Sequence, residues 1–278
     1  MTLESWLEAH PYLRPVAGLS AEVARAADAI EIPRSPVPDW EDHRPDFLAG
    51  MTLLHGAAAI DLEPGGRAAA ALIERLASDR PSGWLAAETR ALHAELQREP
   101  DAGRRIVDLL LGDAGDVPPF AGLTRYLGWT AMRRFLAPVV AAFDGWRDDE
   151  KWQRRYCPTC GSLPAMAQLA GEEPARRRLL VCGCCGTRWQ FRRTCCPFCE
   201  TDAQRLETMV VEGESGLRID SCASCRGFIK TYDGRSADQS GSLFLSDWSS
   251  LHLDLLAVDR GLKRLAASLY ELEPAPHQ

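Results

Sequence analysis

Lysine is nearly missing from this chain: of 32 basic residues only Lys151, Lys230 and Lys263 are lysines, and the rest are arginines. A genome-wide codon bias accounts for that preference. The overall balance is acidic, with a formal net charge of −7 and a pI near 5.5. That argues against a protein whose main task is to coat nucleic acid or an anionic membrane. No apolar run is long enough to span a bilayer. The stretch Met1–Pro15 includes Glu4, Glu8 and His10 and lacks the basic start, apolar run and small-residue cleavage site of a secretory signal. The pair Arg133–Arg134 is internal and is not a twin-arginine signal. The expectation is a cytoplasmic protein. Missing too are a glycine-rich phosphate loop, a nucleophile elbow and a metalloprotease helix motif. His10, His43, His55 and His93 are scattered, with no second histidine at ligand spacing beside any of them. Each reads as a satisfied or exposed side chain.

What remains is the composition of an ordinary globular protein, 46% apolar and 26% charged over 278 residues. Residues 1–150 read as helices parted by proline and glycine. Ser20 is placed to cap Ala21–Ile30, and Pro33–Pro38 is too proline-rich for helix or central strand. Phe47, Met51 and Leu54 recur as on one buried helix face. Gly65–Gly66 are expected to break the chain before Ala68–Ala77, with Leu72, Ile73 and Leu76 on one side. Further helices are expected at Trp84–Leu96, at Asp101–Leu111 with Asp101 as cap, and at Leu123–Phe143, where Pro138 should kink the helix or mark a join. Asp148–Asp149–Glu150 reads as a solvated linker.

No cysteine precedes Cys157, and all ten lie between Cys157 and Cys225. Short runs among them, Leu179–Val181, Arg188–Phe191, Met209–Val211 and Phe228–Tyr232, look like small strands. Arg154, Arg155, Arg176, Arg177, Arg178, Arg188, Arg192 and Arg193 make this stretch locally basic. A loop is expected over Asp233–Gly241. A final helix is expected from Asp247, burying Leu251, Leu255, Val258, Leu262, Leu265 and Leu269. Asp254 and Asp259 lie off that stripe.

Eight cysteines form four CxxC pairs: Cys157–Cys160, Cys182–Cys185, Cys196–Cys199 and Cys222–Cys225. The first two pairs are separated by 21 residues and the last two by 22. The third pair starts 39 residues after the first, and the fourth 40 after the second. This is an internal duplication in register. Two thiolates flanking two residues can face one metal from a tight turn, and a second turn brought back by a hairpin completes a tetrahedral site. Gly161 and Gly186 follow the second cysteine of their pairs, where a left-handed residue eases the turn. Contiguous pairing assigns Cys157, Cys160, Cys182 and Cys185 to one metal and Cys196, Cys199, Cys222 and Cys225 to another; interleaved pairing remains a geometric alternative. Thioredoxin-like redox chemistry lacks its βαβ context. Four thiolates suit zinc and equally a single iron, whereas a [4Fe–4S] cluster usually takes a compact run plus a remote cysteine. Cys184 and Cys195 break the register and read as small, partly buried or free thiols.

With Trp189 after the Cys182 knuckle, Asp220-Ser-Cys222-Ala-Ser-Cys225 leading into Phe228-Ile-Lys230-Thr-Tyr232, and a closing Asp247–Arg260 segment containing Leu255-Leu-Ala-Val-Asp259, the chain resembles the formate dehydrogenase accessory proteins of the FdhE type. The resemblance covers residues 150–265 well and the helical half loosely; all eight paired cysteines match, and Cys184 and Cys195 lie outside the pattern. It implies rubredoxin-like folds that can hold iron, in a cytoplasmic protein needed for formate dehydrogenases to become active. The implied partner is their catalytic subunit, which carries molybdenum or tungsten and selenium or cysteine.

The expected fold class is α+β. A helical domain over residues 1–150 precedes two tandem rubredoxin-like or zinc-ribbon modules over 151–192 and 193–240, and a C-terminal helix and tail over 241–278. The expected cofactors are iron or zinc at two mononuclear four-cysteine sites. With no substrate chemistry in view, the chain is read as a maturation factor and not an enzyme. A zinc-ribbon nucleic-acid or transcription factor and a rubredoxin-type electron carrier or redox sensor are the alternatives. The acidity disfavours nucleic acid, and homo-oligomerisation is left open.

Overall fold

Eight α-helices carry most of the described chain outside the cysteine region: α1 (Leu3–Ala9), α2 (Arg14–Asp28), α3 (Trp40–Ala49), α4 (Glu63–Ser78), α5 (Trp84–Leu96), α6 (Ala102–Leu111), α7 (Ala121–Trp146) and α8 (Leu251–Asp259). The computed structural model describes residues 2–270 apart from 57–59, 80–83, 114–118, 173–174, 215 and 234–242. The loop expected over Asp233–Gly241 therefore lies, beyond Asp233, outside the described residues. The chain divides into two compact units, one of Met1–Ala17, His43–Gly56 and Arg147–Ser268, the other of Gly18–Asp42, Ala57–Trp146 and Leu269–Gln278.

The helical unit is built around α4, which packs against α5, α6 and α7. Leu72, Ile73 and Leu76 of α4 are fully buried, as are Leu127, Met132, Phe135, Leu136, Val139 and Phe143 of α7. Asp101 caps α6 as expected, accepting the Arg104 N–H at 2.9 Å. Gly65 and Gly66 do not break the chain. Both lie inside α4, because their missing side chains let helices touch: a Cβ on Gly66 would stand 2.4 Å from the Gly103 carbonyl oxygen of α6. Ser20 is not a cap either, since α2 starts at Arg14 and the Ser20 hydroxyl bonds Tyr126. α7 runs continuously through Pro138.

In the other unit, β1 (Pro164–Ala170), β2 (Arg177–Cys182), β3 (Arg188–Phe191), β4 (Leu206–Val210), β5 (Leu217–Cys222), β6 (Gly227–Tyr232) and the short β7 (Lys263–Arg264) form one sheet. Its order is β3-β2-β1-β6-β5-β4, with β7 pairing β6. Each half is an antiparallel three-stranded meander, and the halves join through parallel β1 and β6. The duplication seen in the cysteine spacing is thus a duplication of strands, head to tail within one sheet.

Phe47 of α3 stacks on Trp152 at 5.1 Å in this unit. α3 ends at Gly50, whose φ of 90° stops the helix, so Met51 is exposed and Leu54 lies in a separate 3₁₀ turn rather than on the expected helix face. Asp149 is more than a solvated linker: it pairs with Arg147 at 2.7 Å and accepts the Gln190 N–H of β3. α8 turns opposite to expectation. Leu253 and Ala257 are buried while Leu255 and Val258 are exposed, and the helix stops before Leu262. The reason is Asp254 beside Leu253: its carboxylate reaches the buried Lys230 amine at 2.7 Å and Arg264 at 2.7 Å, which turns that face inward. Lys230, 1% exposed at its side chain, also meets Asp247 at 2.7 Å. Among the described residues no helix is long and apolar enough to cross a membrane.

Candidate metal centres

Each CxxC pair sits in a hairpin-like knuckle closed by its own backbone. The Cys157 N–H donates to Ser162 O and the Gly161 N–H to Cys157 O, both at 2.9 Å; Cys182 N–H donates to Thr187 O at 2.9 Å. The second repeat copies this with Cys196 N–H to Thr201 O at 2.8 Å, Glu200 N–H to Cys196 O at 3.0 Å and Arg226 N–H to Cys222 O at 2.8 Å. In all four knuckles the residue after the second cysteine is left-handed: Gly161 (φ 79°), Gly186 (83°), Glu200 (61°) and Arg226 (57°). Glycine accepts this conformation freely, while glutamate and arginine adopt it at a cost.

These turns bring the sulfurs together contiguously. In the first group Cys157 and Cys185 approach to 3.5 Å, as do Cys160 and Cys182. In the second, Cys196–Cys225 and Cys199–Cys222 approach to 3.7 Å. Within each group all four sulfurs lie within 4.8 Å of one another, so each offers room for one ion. The surroundings favour thiolates: backbone N–H groups of Cys184, Phe198 and Gly227 point at the sulfurs of Cys182, Cys196 and Cys225 at 3.3–3.4 Å. The Thr187 hydroxyl lies 3.2 Å from Cys185 and that of Thr201 3.4 Å from Cys199.

Without a cation the four thiols must share protons. Burial raises Cys185, but contacts with Cys157, Cys160, Cys182 and Thr187 outweigh it and hold this thiol low, while Cys160 is pushed up by its contact with Cys157 and Cys182 by burial. In the second group Cys199 shows the same reversal: burial raises it, and bonding to Thr201 and its neighbouring sulfurs brings it down to about 6. Burial raises Cys196 and Cys225. Crowded thiols that resist common ionisation, ringed by N–H and hydroxyl donors, fit a divalent cation that would neutralise them together.

The two groups differ in cover. All four cysteines of the first are buried, because Thr52–His55 lie against its knuckle, with the Leu53 N–H donating to Pro158 O at 2.9 Å and the Leu54 N–H to Thr159 O at 3.0 Å. In the second group Cys199 is exposed and Cys225 half-buried. A cavity of about 170 Å³ adjoins it, walled by Cys196, Phe198, Cys222, Arg178, Arg218 and Asp220. Cys184 and Cys195 belong to neither four-sulfur group; Cys184 is half-buried and Cys195 buried.

The basic stretch is largely engaged within the fold. Arg154 donates to Ala49 O at 3.1 Å, Arg193 to Arg176 O at 3.2 Å, and Arg178, buried, to Cys195 O at 2.5 Å. Arg155 donates to Phe198 O and Arg176 pairs with Asp233. Arg178 ties β2 to the residue before Cys196, and the others tie loops to one another or to the end of α3. Sequence spacing gave no sign of a third cluster: His10 meets His252 at Glu214, residues too far apart along the chain to form a motif.

The family model described as "FdhE, central domain" matches residues 156–193, which hold the first four-cysteine group. A protein FdhE homolog from Pseudomonas aeruginosa is 29% identical over 282 residues, covering 94% of this chain and 85% of its own length. Homologs from Stutzerimonas stutzeri (29% over 181 residues) and Aquifex aeolicus (32% over 131) cover 62% and 46% of this chain. Those two matches span about half of the relatives, 56% and 46%. The crystal structure of the FdhE protein from Pseudomonas aeruginosa superposes with a TM-score of 0.60 at 27% identity, over 97% of this chain and 93% of that one. The resemblance to FdhE extends to the whole architecture: helical first half, sheet with two four-cysteine clusters, C-terminal helix.

Proposed function

We propose that this chain is an FdhE-type accessory protein that binds the catalytic subunit of a formate dehydrogenase during its maturation in the cytoplasm, holding one iron or zinc ion in each four-cysteine group. Cys157, Cys160, Cys182 and Cys185 would hold the first ion, and Cys196, Cys199, Cys222 and Cys225 the second. When bound, such an ion fixes the knuckles and, if it is iron, can pass a single electron.

The observation that carries this reading is the unequal cover of two otherwise repeated groups. A sealed group serves stability, whereas the group opening at Cys199 beside a cavity presents a rigid, thiolate-rich edge to a partner. Repeats that needed only stability would have no reason to differ in exposure.

The test is capture. The full chain, tagged and purified without oxygen, should retain a co-expressed formate dehydrogenase catalytic subunit, and its deletion should abolish formate oxidation. Failure of capture together with intact formate oxidation would remove the proposal. The nucleic-acid reading gains little from the basic stretch, because Arg154, Arg178 and Arg193 are bonded to carbonyl oxygens of the fold and Arg192 pairs with Glu200. A rubredoxin-type electron carrier is contained within the proposal whenever the ion is iron, and the absorption spectrum separates iron from zinc.

A further inference from the structure

His10 ends α1, and its ring Nδ1 lies 3.0 Å from the Trp6 carbonyl oxygen. A carbonyl oxygen only accepts, so Nδ1 carries the proton. A neutral ring then turns the Nε2 lone pair outward, and Nε2 lies 2.9 Å from Glu214 Oε1. His252 of α8 aims its own Nε2 at that same oxygen, at 2.7 Å. Two acceptors facing each other at hydrogen-bond distance need a cation between them, either an extra proton or a metal ion.

The surroundings favour the metal. The side chains of His10, Glu214 and His252 are 8%, 6% and 12% exposed. Glu214 Oε2 and His252 Nδ1 are buried without a hydrogen-bond partner. Hydrogen bonds from both imidazoles to Oε1 leave Oε2 unpaired, whereas an ion between the three side chains would meet the carboxylate directly. Among the described residues no lysine or arginine pairs with Glu214, whose ion-pair partners there are the two histidines. The three ligand atoms lie within 4.8 Å of one another. Trp6 covers one side with its ring 3.8 Å from that of His10, and Tyr12 stands edge-on to both imidazoles at 5.6–5.8 Å. A ligating histidine whose other nitrogen donates to a backbone carbonyl is the usual outer-shell arrangement of metal sites.

We propose that His10, Glu214 and His252 form a third metal site, distinct from both cysteine groups, which takes a divalent first-row transition ion such as zinc or ferrous iron through nitrogen and oxygen. Two imidazoles and one carboxylate are the donor set that such ions take, with open positions left over. The site ties together three segments far apart in sequence: the end of α1, the turn between β4 and β5, and α8. Closing loops of that length is where a cross-link constrains the unfolded chain most. It is independent of the accessory role and of the ions at the cysteines.

The experiment is zinc loading of the full-length protein, with ions counted by native mass spectrometry and the zinc-edge X-ray absorption recorded. The wild type should hold one ion more than the Glu214→Gln and His252→Ala variants, and its spectrum should show imidazole scattering that the variants lose while sulfur scattering stays. Glu214→Gln keeps an oxygen for both histidines but is a poor ligand, so it tests ligation rather than packing. If a variant fails to fold, the wild-type spectrum decides alone: imidazole scattering supports the site, and purely sulfur surroundings overturn it. Equal ion counts in wild type and folded variants also overturn it.

Discussion

Met166 of β1 and Lys230 of β6 lie opposite each other across the parallel strand pair that fuses the two four-cysteine modules into one sheet. Lys230 contributes more than register. Its amine is buried against Asp247 and Asp254, so the strand that joins the modules also anchors the C-terminal segment.

Removing that amine should be costly. Among the described residues Lys230→Met leaves Arg264 as the one cation paired with two buried carboxylates, and should destabilise the protein by about 3–5 kcal/mol, measured by denaturant unfolding. The two acids should respond unequally. Burial pushes both up, but Lys230 and Arg264 win at Asp247, which is held well below the usual range, whereas burial prevails at Asp254, which is raised. A depressed folded pKa contributes stability that is present above the unfolded value of about 3.9 and fades as pH falls below it. A raised one works against the folded state as pH rises. Asp247→Asn should therefore flatten the acid limb of the stability–pH curve, and cost more at pH 7 than Asp254→Asn.

The left-handed knuckle residues give a prediction of opposite signs. Glu200→Gly should stabilise by about 1 kcal/mol, because glycine relieves the left-handed strain and the exposed pairing with Arg192 at 3.6 Å contributes little. Gly186→Ala should destabilise by a similar amount. Thermal unfolding of the metal-loaded protein measures both.

Gly66 separates packing from propensity. Alanine in a helix interior is ordinarily better than glycine by about 1 kcal/mol. Here its Cβ would meet the Gly103 carbonyl, a backbone atom that cannot swing aside. Gly66→Ala should instead destabilise by about 1–3 kcal/mol, as overpacking does. A rise in the unfolding midpoint would contradict the α4–α6 contact.

Chelation should be ordered. A bulky chelator reaches the group opening at Cys199 before the buried group under Thr52–His55, so the ion at Cys196, Cys199, Cys222 and Cys225 should leave first. Stopped-flow release from Cys199→Ser and Cys160→Ser variants assigns the phases: the first should lose the fast phase and the second the slow one.

Much of the site was legible because its chemistry is local. A CxxC knuckle declares itself within a few residues, and the 39- and 40-residue repeat pointed to contiguous pairing but left interleaving open until the strands placed the sulfurs. Helices with strong periodicity or a capping residue, such as α5 and α6, were equally readable. What failed depended on distant partners. Gly65 and Gly66 look like breakers until Gly103, Met132 and Phe135 are brought beside them. The leucines of α8 suggest an apolar face, but the face turned inward is chosen by Lys230, over twenty residues earlier. The segment Thr52–His55 has no cysteine signature, yet it decides which group is sealed. His10, Glu214 and His252 share no spacing at all.

The central claim is two separate all-sulfur sites with contiguous pairing, and metal-edge X-ray absorption with ion counting on anaerobically purified protein tests it most directly. The account predicts two ions in four-sulfur surroundings, with Cys160→Ser and Cys199→Ser each removing one and leaving the other unchanged. Simultaneous loss of both ions from either variant, with the protein still folded, or native thiols that titrate freely at all eight paired cysteines, would contradict it.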